Sequence, residues 1–231
     1  MRLFASCLSL LLFALPAAAQ TGPMSEAAID KAVDAVLNAP RSATEGIDYE
    51  VIEDAAPYEP VAGRIEVVEV FGYTCPHCAH FEPAVEAWKD RLPKDVKFTP
   101  VPAPFGGYWT PYARAYFAAK ALGILDRSHE AVFRALHEEG TLPRNPTDDE
   151  LAAFYVRFGV QPTHFIATLN GAAVDAQMEK AEAFVRRTGV EGTPTLIVAG
   201  KYRVTAGPKD ALRVVDQLVA RERAAARARG R

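Results

Sequence analysis

The sequence predicts an α/β fold: an open sheet whose strands are interrupted by one long helical insert. Three observations carry that expectation. The Val-rich run RIEVVEVFGY (64–73) is apolar at nearly every position, as a strand buried on both faces requires. The stretch 108–188 has helical spacing and no strand pattern. TPTLIVAGKYRVTAG (193–207) then returns to β-rich sequence, two pieces joined at Gly200 and Lys201 as a hairpin.

In chain order, the first residues combine Arg2, an apolar run over 3–15 and the small residues Ala17, Ala18 and Ala19, the three parts of a secretory leader. Cleavage is expected after Ala19, which removes residues 1–19 and Cys7 with them. SEAAIDKAVDAVLNAP follows, with Ile29, Val33, Val36 and Leu37 on one helical face, and predicts a short helix over 25–38 before Pro40. IDYEVIE (47–53) alternates as a strand does, and Pro57, Pro60 and Gly63 break the chain before the Val-rich strand. From Cys75 the period turns helical, with Phe81, Val85 and Trp88 on the buried side, Pro76 in the first turn and Pro83 inside the helix, where it should kink it.

DVKFTPVPAPF (95–105) reads as the next strand. Four helices are expected in the insert, at 111–123, 128–140, 147–159 and 171–189, the third opened by a Thr147/Glu150 capping box. A helix over 208–225 closes the chain.

Composition limits the functional classes. With 231 residues, 49% hydrophobic and 24% charged, the chain has the profile of a globular protein. No stretch reaches the roughly 20 apolar residues that span a bilayer. The net charge is −3, and the last eleven residues hold five Arg against one Glu. That basic run lacks interleaved aromatics and follows a helical pattern, so a frayed, solvated helix end is expected and no nucleic-acid partner.

After leader removal only Cys75 and Cys78 remain, in FGYTCPHCAHFEP (71–83). A bridge across two residues restricts the unfolded chain almost not at all, which makes it a poor structural staple. Zinc usually takes four ligands, and His77 and His80 beside the pair find no paired spacing among His129, His137 and His164. A working redox pair is the remaining use. Cys75, where a buried strand becomes a helix, meets unpaired N–H groups and the positive end of the helix dipole, both of which favour a thiolate. His77 can add positive charge or a hydrogen bond. Cys75 is therefore the exchanging sulfur, and Cys78, one turn further in, the resolving one.

Three further residues stand out by position: Glu69, six before Cys75; Pro83, eight after it; and Pro194 in EGTPT. VVEVFGYTCPHCAHFEP and EKAEAFVRRTGVEGTPTLIVAGKYRV together resemble the thioredoxin superfamily, specifically its DsbA-type periplasmic thiol:disulfide oxidoreductases, from about Thr44 onward. The resemblance implies a thioredoxin fold over 44–105 and 186–231, an inserted helical domain over 106–185 and an N-terminal extension over 20–43. It implies that Pro194 is cis, that Thr193 offers its backbone to an extended substrate, that Glu69 is the buried acid shuttling a proton to Cys78, and that Glu82 is a second acid near the site.

The activity implied is introduction of disulfides into reduced, exported proteins through the Cys75–Pro76–His77–Cys78 motif, in the periplasm, without a bound cofactor or metal. A quinone-linked membrane partner would reoxidise the enzyme, which is expected to be a monomer. Two other readings stay open: an isomerase or reductase of the same fold, and a metal-binding chaperone using the cysteines with His77 or His80. Glu69 could also be an ion-paired structural acid, with Lys97 as partner, and His129, His137 and His164 plain surface residues of the helical lobe.

Overall fold

A five-stranded sheet in the order β1-β5-β4-β2-β3 organises the protein. The computed structural model describes residues 41–229 together with Ser25, Ala28 and Ile29. Ala28 and Ile29 are helical; the expected leader, its cleavage site and the rest of the expected 25–38 helix lie outside the described residues.

The central strand, β2 (Ile65–Phe71), is buried at every residue after the first, as its unbroken apolar run requires. It pairs parallel with β3 (Val96–Pro102) and antiparallel with β4 (Thr195–Val198), which pairs with β5 (Tyr202–Val204), and β1 (Tyr49–Val51) closes the other edge on β5. Pro100 and Pro102 fit β3 because it is an edge strand, where a missing N–H leaves no ladder bond unmade. IDYEVIE forms a strand only over its middle three residues.

The hairpin differs by one residue from the sequence expectation. Its turn is centred on Ala199 and Gly200, both at positive φ (54° and 66°), and the Lys201 N–H donates to Val198 C=O at 2.9 Å. Both central residues of such a turn must be left-handed, a requirement that Gly200 meets without strain and Ala199 does not.

Alternation along β2 divides the core in two. Val67, Leu196 and Val198 face α1 (Pro76–Lys89) and α7 (Pro208–Arg229), packing with Phe81, Val85, Trp88, Val214 and Leu218. The Trp88 indole N–H donates to Asp216 at 2.8 Å and joins the two helices. Val68, Val70 and Ile197 face the helical lobe: α2 (Thr110–Ala121), α3 (Leu125–His137), α4 (Asp148–Tyr155), α5 (Pro162–Leu169) and α6 (Ala172–Thr188). The capping box at Thr147 and Glu150 is present in both directions.

Helix α5 was not signalled by the sequence. It has eight residues, a Gln at its cap position and only Phe165 and Leu169 buried, too little for a periodic pattern to register. The basic chain end also departs from a frayed helix. Arg223 bonds both Asp95 carboxylate oxygens at 2.6 and 3.0 Å, and the buried Glu222 accepts from Lys201 Nζ at 2.5 Å and the Tyr202 hydroxyl at 3.0 Å.

Candidate active site

Strand β2 delivers the chain to the site, and a tight turn hands it to α1. The Cys75 N–H donates to Gly72 C=O at 3.0 Å, Cys75 takes extended dihedrals as the N-cap residue, and Pro76 fills the first turn. Gly72 is required for contact rather than for its dihedrals: a Cβ there would lie 2.0 Å from the Trp109 ring, which closes over the turn. Trp109 comes from PFGGYW, so that segment packs against the active-site turn.

Both cysteines are free thiols and both are buried, Cys75 at 6% exposure and Cys78 at 1%. The Cys75 thiol is lowered to about 5. The hydrogen bond from the Cys78 thiol is the largest cause, and Thr193 and the backbone N–H groups of Cys78 and His77 add to it against the opposing effect of burial. The helix N-terminus thus acts on the sulfur as the sequence suggests, through backbone N–H groups. The His77 side chain is exposed.

Cys78 is pushed far above the ordinary thiol range, first because it donates to Cys75, then by burial and by Glu69. The pair is therefore divided into one sulfur that ionises easily and one that holds its proton.

The Thr193–Pro194 peptide bond is cis, and the Cys75 thiol donates to Thr193 C=O at 3.4 Å. The Thr193 hydroxyl is buried without a hydrogen-bond partner, leaving it as a donor for a thiolate. Beside it a groove of ≈ 300 Å³ runs along His77, Phe81, Thr193, Pro194, Leu196 and Pro208.

Glu69 is 3% exposed, and its carboxyl is raised to about 8 by burial first and by the charge of Glu82 second. The alternative ion pair with Lys97 is not present: Lys97 lies 3.0 Å from Glu59 and 3.8 Å from Glu66. Strand parity explains this, because Glu66 and Glu69 point to opposite faces of β2 and Lys97 is the register partner of Glu66. Glu66 is the structural acid, accepting from the Tyr58 and Glu59 N–H groups at 2.7 and 3.0 Å and from Thr99 Oγ1 at 2.9 Å. Glu69 has Pro100 and Leu196 as its register partners, neither of which carries a charge.

Of the three histidines expected on the lobe surface, only His164 is plainly there. His129 is half-buried, with Nδ1 2.6 Å from the Tyr73 hydroxyl and Nε2 3.3 Å from Glu82 Oε1. His137 is exposed but its Nε2–H donates to Tyr73 C=O at 2.7 Å. One sequence signal was available: His129, Phe133 and His137 fall at i, i+4 and i+8 on one face of α3. Among the described residues no group of three or more His, Cys, Asp and Glu side chains is placed to hold a metal ion.

Residues 109–219 match a family model described as the DSBA-like thioredoxin domain. Over 188 residues the chain is 39% identical to the thiol:disulfide interchange protein DsbA of Pseudomonas aeruginosa, covering 80% of this chain and 88% of that one. The DsbA of Azotobacter vinelandii is 40% identical over 172 residues, 72% of this chain and 79% of its own. Among solved structures, the oxidoreductase DsbA from Xylella fastidiosa superposes with a TM-score of 0.78 at 52% identity, covering 80% of this chain and all of that one. The Pseudomonas aeruginosa DsbA structure gives 0.74 at 39% identity, with 80% and 97% coverage.

Proposed function

Because this chain belongs to the DsbA family of thioredoxin-fold thiol:disulfide oxidoreductases, we propose that Cys75 and Cys78 are its exchanging pair and that the pair works in the oxidising direction. The observation that carries this reading is the unequal environment of the two sulfurs, with Cys75 lowered to about 5 and Cys78 raised. Stabilising the Cys75 thiolate stabilises the reduced form, and a couple whose reduced form is stabilised is an oxidant.

In the forward reaction a substrate thiolate attacks Cys75 Sγ, the Sγ–Sγ bond breaks, and Cys78 leaves with the electron pair. Glu69, protonated at neutral pH, gives that sulfur its proton and becomes a carboxylate. A second substrate thiolate then attacks the substrate sulfur of the mixed disulfide and expels Cys75 as its stable thiolate. The substrate has lost two electrons and the enzyme has gained them. Thr193 and Pro194, in the lining of the groove, hold the substrate segment, with His77 in the same lining.

The substrates in this reading are reduced proteins newly exported to the periplasm, where the leader expected over 1–19 would direct this chain. A quinone-linked membrane partner takes the two electrons and restores the disulfide. One chain supplies both cysteines, Glu69, Thr193 and Pro194, so a monomer suffices. The inserted helical domain over 106–185 covers the turn before Cys75 through Trp109 and α3; α6 itself runs on to Thr188.

The test is a single turnover with a reduced dithiol peptide. One equivalent of oxidised protein is expected to convert one equivalent of peptide to its disulfide, with both enzyme thiols appearing. Failure to oxidise the peptide, combined with rapid reduction of a peptide disulfide by the reduced protein, would instead establish the reductase reading.

A further inference from the structure

The Glu82 carboxylate and the His129 imidazole take no part in the steps above, yet they tie the active-site turn to the helical lobe. His129 sits among four rings, with centroids 5.1 Å from Phe71, 5.1 Å from Tyr73, 5.9 Å from Tyr116 and 5.4 Å from Phe133. Its two nitrogens take separate partners, Nδ1 the Tyr73 hydroxyl at 2.6 Å and Nε2 the Glu82 carboxylate at 3.3 Å.

The chemistry of the partners assigns the protons. Burial pushes the Tyr73 phenol well above its ordinary value, so Tyr73 keeps its O–H. Burial also raises Glu82, but the hydrogen bond and charge of His129, with Glu86 and Lys89, outweigh it, and Glu82 is ionised. Nε2–H therefore donates to Glu82, and Nδ1 shares a hydrogen bond with the Tyr73 hydroxyl.

We propose that His129 is a positioning residue of the exchange reaction that acts through Glu82 on Glu69: by donating to the Glu82 carboxylate it holds a negative charge beside Glu69 and so keeps Glu69 a proton donor for Cys78. The inference rests on the exchange mechanism above and adds a residue to it from the helical lobe. Without the His129 donor, the first of the causes that oppose burial at Glu82 is gone, and Glu82 takes up a proton more readily. Glu69 then loses the second cause of its raised carboxyl and ionises at lower pH.

The other charged and titratable groups facing Glu69 and Glu82 are few. Helix α1 contributes Lys89, which opposes the effect on Glu69, and Glu86, which reinforces it; the turn contributes Cys75 and the first turn of α1 Cys78. Tyr116 of α2 is close enough for the Glu69 charge to act on its phenol. Arg64, Lys94, Asp126 and Glu130 line the same open cavity of ≈ 550 Å³ as Glu82 and His129, so water and counter-ions reach that pair while Glu69 stays enclosed.

The experiment follows the Glu69 carboxyl in the reduced protein by its infrared carbonyl band, assigned by its loss in Glu69→Gln, and records peptide oxidation against pH in parallel. His129→Phe fills the aromatic site without a donor, and its Glu69 midpoint is expected to fall by about one unit, with the pH dependence of oxidation moving in step. In His129→Gln an amide N–H can reach Glu82, and most of the shift should be restored. Glu82→Gln should lower the midpoint on its own, and His129→Phe added to it should shift it no further.

An unmoved Glu69 midpoint in His129→Phe and Glu82→Gln, or equal shifts in the Phe and Gln variants, overturns the inference while leaving peptide oxidation intact. Loss of oxidation in the unaltered protein would instead remove the exchange reading itself.

Discussion

Cys78→Ser protein is expected to accumulate covalent complexes with its substrates, whereas Cys75→Ser captures none and loses dithiol oxidation altogether. The difference follows from the environments of the two sulfurs. Cys75 caps α1, is lowered to about 5 and lies with its sulfur 3.4 Å from the carbonyl of Thr193, which lines the groove. It can join a mixed disulfide without its partner, but once the Cys78 sulfur is replaced no thiol inside the enzyme remains to release the substrate. Cys78 is 1% exposed and holds its proton, so in Cys75→Ser the one remaining sulfur is both inaccessible and unreactive. Non-reducing electrophoresis of the exported fraction reads the result, with complexes that vanish on adding a reductant. A metal chaperone would trap no protein in either variant. Complexes from Cys75→Ser and none from Cys78→Ser would reverse the assignment.

Glu69→Gln is expected to make the reduced protein more stable at neutral pH and slower in exchange. The sign follows from linkage. A carboxyl raised from its ordinary 4.5 to about 8 holds its proton in the folded state after the unfolded chain has released it. Stability is therefore lost progressively as pH rises from about 4.5 to 8, and is unaffected below that window. Glutamine removes the titration, so its advantage should be small near pH 4 and reach about 1–3 kcal/mol by pH 8, read from urea unfolding.

Exchange should slow by about tenfold or more, because Cys78 then leaves without a proton donor. A purely structural acid behaves in the opposite way. Its loss would destabilise the protein at both pH values and leave exchange unchanged, as expected of Glu66, whose oxygens are fully bonded.

The sheet and the exchanging pair were legible because each was written locally. The unbroken apolar run of β2 can only be a central strand, and CPHC after it can only start a helix whose N–H groups face the first sulfur. The turn of the hairpin was displaced by one residue because Ala199 adopts a positive φ that sequence assigns to glycine. Helix α5 was missed because eight residues with two buried side chains carry no period.

The roles of His129 and His137 were missed for a different reason. Their contacts to Tyr73 cross 56 and 64 residues, and only the folded lobe brings them together. Glu69 lay between these cases. Its position marked it, but the choice between relay and ion pair with Lys97 depended on strand parity and register, which place Lys97 against Glu66.

The oxidising direction depends on the stability of the reduced pair, and the measurement that tests it most directly is the equilibrium of the Cys75–Cys78 dithiol with glutathione buffers of defined ratio. At pH 7 a thiol at about 5 is some two units below the solution pH while an unfolded thiol is still protonated. That difference favours the reduced form by at most about 3 kcal/mol, or roughly 60 mV, less whatever solvent screens at the open side of the sulfur. The protein is therefore expected to be reduced even when oxidised glutathione is abundant, and to lose this preference as the pH is lowered toward 5. A pair that stays oxidised in a largely reduced glutathione buffer, with no dependence on pH between 5 and 7, would contradict the stabilised thiolate and with it the oxidising direction.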